Sequence, residues 1–106
     1  MRYIGGRSTD PSLLVLTSLA DGPKHGYAIT QDIEELSGVH LGPGTLYGAL
    51  SRLEQKGLIE GLPADDRRRP YKLTLKGSEA LQEQLQTFER VARTGLDRLR
   101  TTEGLA

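Results

Sequence analysis

The clearest pattern in the chain is the stretch LGPGTLYGALSRLEQKG, in which apolar residues recur with helical spacing. Leu46, Leu50 and Leu53 are separated by four and then three residues, which places their side chains on one face of a helix. Pro43 is typical of a first helical turn, and Gly57 is typical of the position just beyond a helix end. The opposite face would carry Thr45, Tyr47, Gly48, Ser51, Arg52 and Gln55. The stretch therefore predicts a helix with a buried leucine face and a polar outer face.

The polar face of this central helix has two interpretations. Its donors, acceptors, single cation and single aromatic ring, with a glycine that permits close approach, can contact base edges in a DNA groove. The same composition also describes an ordinary surface helix whose outer face is only solvated. The helix alone favours neither interpretation, so the neighbouring segments decide between them.

A first helix is predicted from Asp10, which can cap it, and Pro11, which suits its first turn, through Ala20. Its apolar residues cover more than one stripe, so it should bury one face in its own core and another against a second chain. These residues are Leu13, Leu14, Val15, Leu16, Leu19 and Ala20.

A second helix follows the turn Asp21-Gly22-Pro23. It is predicted from about His25 to a stop at Gly38, with apolar residues on one face. The segment Val39 to Leu41, between this helix and the central one, is interpreted as a very short strand.

Two short β-prone runs, Leu58 to Leu62 and Tyr71 to Leu75, follow the central helix. Two prolines, two acids and three arginines lie between them, so they predict a hairpin with a cationic tip. Three helices followed by a two-stranded hairpin is the order of a winged helix-turn-helix, whose third helix enters the major groove while the hairpin lies on the DNA backbone. The predicted fold class is mainly α with a small β-hairpin.

A long C-terminal dimerisation helix is predicted from a Thr74 cap to about Arg100. Its apolar residues alternate steps of four and three, which is the heptad pattern of helices that pair. The seam is Leu81, Leu85, Phe88, Ala92, Gly95 and Leu99, and Val91 and Leu96 widen it. The pattern predicts a homodimer. The predicted dimer interface comprises Leu13, Leu14, Leu81, Leu85, Phe88, Ala92, Leu96 and Leu99.

The chain divides into three predicted segments. Residues 1–9 form a flexible N-terminal arm, residues 10–75 a winged-helix DNA-binding domain, and residues 76–106 the dimerisation helix and a tail. In the arm, Arg2 and Arg7 could contact phosphate, although a frayed terminus with no role is an equal alternative.

Composition sets limits on the class of protein. A chain of 106 residues is one domain, near the size at which a partner subunit helps burial. The absence of cysteine excludes disulfides and thiolate zinc sites. Because no apolar run suits a signal peptide or a membrane span, we expect a cytoplasmic protein.

The net charge is zero, but the charge is unevenly distributed. Residues 11–40 hold one lysine and four acids, for a net charge of −3, whereas residues 63–76 hold five cations and two acids, for +3. The positive charge is therefore concentrated on the predicted hairpin, where it can meet an anionic partner.

No catalytic or metal-binding set is predicted. His25 and His40 lack helical i, i+4 spacing and cysteine partners, so they do not form a metal site. Gly42, Gly44 and Gly48 miss the dinucleotide-binding spacing by one residue, and no long strand precedes them. No nucleophile, base and orienting acid can be assembled. We therefore predict neither an enzyme nor a cofactor.

Three motifs resemble the PadR family of winged-helix transcriptional regulators: PGTLYGALSRLEQKGLI, HGYAI and RRRPYKLTLKG. The resemblance covers most of the chain. It implies a homodimeric DNA-binding repressor whose first and last helices pack between subunits, with DNA release in some members when a small molecule binds. The single C-terminal helix is similar to that of the shorter branch of the family. Gly48 departs from the family pattern, which often has proline there.

The predicted DNA contacts come from the central helix, the start of the second helix and the hairpin. They are Thr45, Tyr47, Ser51 and Arg52, then Lys24, His25 and Tyr27, and finally Arg67, Arg68, Arg69 and Lys72. Helix N-terminal N–H groups and a mobile cationic hairpin favour phosphate, whereas the central helix can also reach base edges. In the alternative interpretation Tyr47 packs under the hairpin, Arg52 pairs with an acid, Tyr27 is core and the hairpin arginines are only solvated.

These elements predict a sequence-specific DNA-binding regulator. A homodimer with reading helices about 34 Å apart implies a pseudo-palindromic operator. The alternative is a protein-interaction module that keeps the winged helix without binding nucleic acid, which the zero net charge would suit.

Overall fold

The computed structural model describes residues 10–64 and 66–105, and side chains as far as Thr102. The helices are α1 (Pro11–Ser18), α2 (Gly26–Ser37), α3 (Pro43–Gln55) and α4 (Leu75–Leu105), and a short 3-10 turn (Leu19–Asp21) follows α1. The strands are β1 (Lys24–His25), β2 (Ile59–Gly61) and β3 (Pro70–Leu73). The predictions for the N-terminal arm, including Arg2 and Arg7, lie outside the described residues.

Local chemistry sets the helix ends. The Asp10 side chain accepts a backbone N–H from the first turn of α1. Gly38 ends α2 and Gly57 follows α3, each with φ of 76°, a left-handed conformation that glycine adopts without a steric penalty. The Thr74 hydroxyl accepts the Gly77 N–H at 3.0 Å and so caps α4. The predicted starts of these helices are confirmed, whereas α1 ends at Ser18 and not at Ala20, and α4 continues past Arg100 to Leu105.

The sheet has three antiparallel strands in the order β1-β3-β2, so β3 is central. Tyr71 of β3 lies opposite Lys24 of β1 on one side and opposite Gly61 of β2 on the other. The hairpin is confirmed, but the predicted strand at Val39 to Leu41 is wrong. That segment connects two helix caps and buries Leu41 in the core, while the additional strand lies just before α2.

The core forms where α1, α2 and α3 pack against one another, with the first turns of α4 beside them. Its buried apolar residues are Leu14, Val15, Leu16, Leu19, Ile29, Ile33, Leu41, Leu46, Ala49, Leu50, Leu53, Ile59 and Leu81. Two of the residues assigned to a dimer interface, Leu14 and Leu81, are 6% and 4% exposed in the single chain. These two side chains are covered within the single chain, where α4 packs against part of the second apolar face of α1, and their place in a dimer interface stays a prediction.

Beyond Leu81, the described side chains of α4 are exposed, and the helix extends the molecule to 59 × 27 × 20 Å. The exposed fractions are 40% for Leu85, 42% for Phe88, 58% for Leu96 and 60% for Leu99. The exposed residues of the predicted interface are therefore on α4, and Leu13 of α1 is half-buried. Among the described helices, none combines the length and apolarity that crossing a membrane would require.

Candidate nucleic-acid interface

The two faces of α3 separate as the leucine spacing predicted. Leu46, Ala49, Leu50 and Leu53 are at most 3% exposed and form the inner face. Thr45, Tyr47, Ser51 and Arg52 are exposed on the outer face, here called the reading face. Because the inner face anchors the helix in the core, the reading face is held in a fixed orientation toward solvent.

Tyr47 lies against the first turn of α2. A Cβ atom on Gly26 would lie 2.5 Å from the Tyr47 hydroxyl oxygen and 3.1 Å from Cζ, so only glycine leaves room for the ring in this position. The side chain is still 53% exposed. Tyr47 thus presents part of its ring and hydroxyl to a ligand, with its orientation limited by the backbone of α2.

Arg52 lies one turn further along the reading face. A Cβ atom on Gly48 would lie 3.5 Å from Nη1 of Arg52, so the guanidinium extends back over that glycine. Within residues 10–64 and 66–102, no carboxylate forms an ion pair with Arg52. The guanidinium therefore keeps its donors for another partner.

A pocket of about 310 Å³ joins the start of α2, the reading face and the hairpin. We call it the cationic pocket, and its lining residues are His25, Gly26, Tyr27, Tyr47, Arg67, Arg68, Arg69 and Tyr71. Guanidinium groups, phenol hydroxyls and the N-terminal N–H groups of a helix are all donors that suit a phosphate oxygen. The fold therefore brings together predicted contacts that are more than 40 positions apart in the chain.

His25 and Arg68 contact each other at the edge of this pocket. Nη1 of Arg68 lies 3.3 Å from Nε2 of His25. A guanidinium is only a donor, so Nε2 is the acceptor in this contact. Nδ1 is buried and has no hydrogen-bond partner in the described part of the chain. The contact connects the hairpin to the start of α2.

Lys24 has hydrogen-bond partners within its own chain. Its ammonium donates to the Ser18 carbonyl and pairs with Asp21, and the side chain is only 18% exposed. The same ammonium lowers the pKa of the Asp21 carboxyl below its ordinary value of 3.8. Lys24 therefore stabilises the connection between α1 and α2 with two of its three ammonium donors, and its contact with DNA stays a prediction.

Arg69 also has partners within its own chain. Nη2 of Arg69 lies 3.1 Å from Oε2 of Glu54, and its guanidinium carbon is 5.6 Å from the centre of the Tyr71 ring. The side chain crosses β2 so closely that a Cβ on Gly61 would overlap the guanidinium. Arg69 thus ties the hairpin to the last turn of α3, and its charge is already paired.

The remaining predicted residues are exposed. Arg67 has φ of 68° at the hairpin tip and, like Arg68, makes no ion pair with a described carboxylate. Lys72 is 3.9 Å from Glu60, a loose surface pair that contributes little. Tyr27 is 67% exposed and accepts a hydrogen bond from Gln31 at 3.0 Å, so the alternative that it belongs to the core is wrong.

Comparison with known proteins identifies the family. Residues 15–83 match the family model described as the transcriptional regulator PadR-like family. The chain belongs to the PadR-like family. The resemblance of the three sequence motifs is therefore confirmed, and the class is one of transcriptional regulators and not of enzymes.

Two individual proteins are also similar in sequence to this PadR-like chain. Transcriptional regulator Rv3488 of Mycobacterium tuberculosis is 40% identical over 84 residues, which cover 76% of this chain and 78% of that protein. An uncharacterized 37.1 kDa protein in transposon TN4556 of Streptomyces fradiae is 50% identical over 86 residues, or 81% of this chain. This chain spans only 25% of the length of the Streptomyces protein.

The PadR-like fold is also confirmed by solved structures. A PadR family transcription regulator from hypervirulent Clostridium difficile R20291 superposes with a TM-score of 0.77 at 27% identity, covering 86% of this chain and 99% of that one. The winged helix with a long C-terminal helix is thus the fold of this PadR-like chain.

Sequence reasoning missed two residues that line the cationic pocket of this PadR-like chain, Gly26 and Tyr71, and also Gly61, which lies against Arg69. Gly26 and Gly61 matter because they leave space for Tyr47 and Arg69, and nothing in a single sequence marks a glycine as a site of close approach. Tyr71 lines the cationic pocket. Its position in the predicted second strand was a usable signal. Side chains alternate between the two faces of a strand, so the position of Tyr71 determines the face of β3 on which its side chain lies.

Proposed function

We propose that this PadR-like protein binds a pseudo-palindromic DNA operator as a homodimer and represses transcription by occupying it. The observation that carries the proposal is the exposed reading face of α3 directly beside the cationic pocket. One surface thus combines side chains that suit base edges with side chains that suit the phosphate backbone.

The reading face supports sequence-specific contact. Thr45 and Ser51 can donate or accept at base edges, and the Arg52 guanidinium, which pairs with none of the described carboxylates, can donate two bonds to guanine. Tyr47 is limited in its motion by α2, so its hydroxyl is already oriented before DNA arrives. A side chain that is oriented in advance loses less conformational entropy on binding.

The cationic pocket supports backbone contact. Arg67 and Arg68 extend from the hairpin and have no described carboxylate partner, so they are free to neutralise phosphate. The pocket also adjoins the N-terminus of α2, where backbone N–H groups favour an anion. These contacts would fix the position of α3 in the groove without themselves reading sequence.

The homodimer is supported by the exposed seam on α4. Leu85, Phe88, Leu96 and Leu99 are each between 40% and 60% exposed and follow heptad spacing along one helix. Full burial of a large apolar side chain contributes roughly 1.5–3 kcal/mol, so four per subunit can offset much of the loss of freedom on association. Two copies joined along α4 would place two reading faces on one DNA duplex.

Repression and effector control are further parts of the proposal. A dimer that covers two successive major-groove segments of a promoter excludes other proteins from that DNA. An open groove of about 510 Å³ lies between α4 and the sheet and is lined by Ala20, Leu73, Ser78, Leu81, Gln82, Leu85, Gln86 and Glu89. A small molecule in this groove would change the position of α4 relative to the DNA-binding half, which would release the operator.

The direct test is to sequence genomic fragments that the purified protein retains and then to titrate salt against binding of the selected operator. Arg52, Arg67 and Arg68 from each of two subunits predict an affinity loss of about 10³-fold between ~50 and ~200 mM salt. Replacing both Tyr47 and Arg52 with alanine should abolish selective retention. The matched control, Arg90→Ala, removes a cation from the exposed surface of α4 and should change little.

Three results would contradict the proposal. A salt-insensitive affinity, or unchanged DNA retention after Tyr47 and Arg52 are replaced, would favour the protein-interaction module instead. A monomeric mass at micromolar concentration in sedimentation equilibrium would exclude the homodimer.

A further inference from the structure

Three consecutive backbone carbonyls at the end of α3 accept hydrogen bonds from the start of α4. The Lys56 carbonyl accepts from Nζ of Lys76 at 3.0 Å, and the Gly57 carbonyl accepts from the Thr74 hydroxyl at 2.6 Å. The Leu58 carbonyl accepts the Thr74 backbone N–H at 3.1 Å. We call these three bonds the α3–α4 clasp. They connect the helix that carries the reading face to the helix that carries the dimer seam.

Thr74 is central to the clasp because its hydroxyl serves both helices. It donates to the carbonyl of Gly57, which follows α3, and it accepts the Gly77 N–H in the first turn of α4. One hydroxyl therefore satisfies a C-terminal carbonyl of one helix and an N-terminal N–H of the other. Neither helix can rotate about this point without breaking a bond.

Close packing prevents the two helices from sliding past each other. A Cβ on Gly77 would overlap the carbonyl oxygen of Leu58, so the backbone of α4 contacts the chain after α3 without an intervening side chain. Lys76 adds a cation beside the C-terminal end of α3, where the helix dipole favours positive charge. Backbone contact and directional bonds together restrict how the two helices can move relative to each other.

We propose that the α3–α4 clasp sets the distance and angle between the two reading faces of the dimer, and so selects the half-site spacing of the operator. Thr74 and Lys76 are positioning residues in this scheme and do not touch DNA. One base pair of added spacing displaces a half-site by about 3.4 Å and rotates it by about 35° around the duplex. A rigid clasp cannot follow that change, whereas a loosened one can. The spacing part of the inference depends on the proposed homodimeric DNA binding.

The first measurement needs no DNA. The chain contains no cysteine, so spin labels at Ser51→Cys on α3 and Arg90→Cys on α4 report one intrachain distance when labelled chains are diluted with unlabelled ones. Thr74→Val keeps the branched shape and the backbone bond but removes the hydroxyl, and Lys76→Met keeps most of the stem but removes the donor. We expect both to broaden the distance distribution, and Thr74→Ser to restore the narrow one.

The second measurement compares operators, with the unlabelled variants. For wild type, the ratio of Kd values between an operator lengthened by one base pair and the selected operator measures spacing discrimination. We expect Thr74→Val and Lys76→Met to lower that ratio by about fivefold, because the loss of one hydrogen bond corresponds to a change of about fivefold in an equilibrium constant. The affinity for a single half-site should stay unchanged. Thr87→Val is the matched control, because it removes a threonine hydroxyl bond to the Glu83 carbonyl within α4.

The outcomes separate the clasp from the function on which it depends. A distance distribution as narrow in both variants as in wild type overturns the clasp. A broadened distribution with an unchanged spacing ratio overturns its role in operator selection. If wild type binds no operator, the proposed DNA-binding function and the spacing role both fail, and the distance measurement alone decides whether the clasp fixes the two helices.

Discussion

Replacing Gly26 with alanine should weaken DNA binding without destabilising the fold. The added methyl group would lie 2.5 Å from the hydroxyl oxygen of Tyr47, which is too close for a stable contact. The atom in the way is the far end of an exposed side chain, so the Tyr47 ring can move aside while the backbone stays in place. Gly26→Ala therefore displaces one residue of the reading face and leaves the core intact.

The two expected effects have opposite signs. Gly26 opens α2 without a positive φ, so alanine fits its backbone and reduces the freedom of the unfolded chain, which contributes about 0.4–1 kcal/mol of stability. For a domain of this size that raises Tm by roughly 2–6 °C. A hydrogen bond from Tyr47 to a charged phosphate is worth about 1.5–3 kcal/mol, so its displacement should lower operator affinity by at least about tenfold.

Thermal unfolding by circular dichroism and fluorescence anisotropy with labelled operator would measure the two effects. A double-mutant cycle with Tyr47→Phe provides the control, because removal of the hydroxyl removes the closest contact with the new methyl group. Gly26→Ala should then have little further effect on affinity. An operator affinity within twofold of wild type for Gly26→Ala alone would refute the assigned role of Tyr47, and a lower Tm would refute the geometry.

Three further predictions concern other parts of the molecule. Arg67→Ala should reduce the slope of log Kd against log salt by about one ion for each subunit, whereas Arg69→Ala should change that slope little because its charge is already paired. Leu50→Ala should lower the free energy of unfolding by about 2–5 kcal/mol in urea denaturation, because Leu50 is 1% exposed; a loss below ~1 kcal/mol would contradict its place in the core. Asp21→Asn should lower Tm at neutral pH but not in acid. Pairing with Lys24 lowers the pKa of the Asp21 carboxyl, so the ion pair stabilises the fold above pH 3.8, and this stabilisation is lost as the pH falls through the lowered pKa.

Elements defined by neighbouring residues could be predicted from the sequence. Pro43 and Gly57 bound α3, and the leucines between them assign its buried face, because caps and helical spacing are properties of a short segment. The reading face followed from the same spacing. Once the leucines are assigned to the core, the opposite face of the same helix must be exposed to solvent.

Features that depend on distant partners could not be predicted. Strand β1 has two residues, too few for an alternating pattern, and it exists because β3 pairs with it from more than 40 positions away. The charges of Lys24 and Arg69 were visible in the sequence, but Asp21 and Glu54 were not identifiable as their partners. The heptad pattern showed that Leu81 needs an apolar neighbour without showing whether that neighbour belongs to the same chain.

The exposed half of α4 has a consequence for how the regulator responds to its own abundance. Beyond Leu81 the described apolar side chains face solvent in the single chain, and helices without tertiary contacts are marginally stable in water. In the proposed homodimer, the ordering of that half and the meeting of two copies become one event. Mass action then links the helical content of the protein to its copy number, so a cell that makes more of it obtains better-ordered molecules as well as more of them.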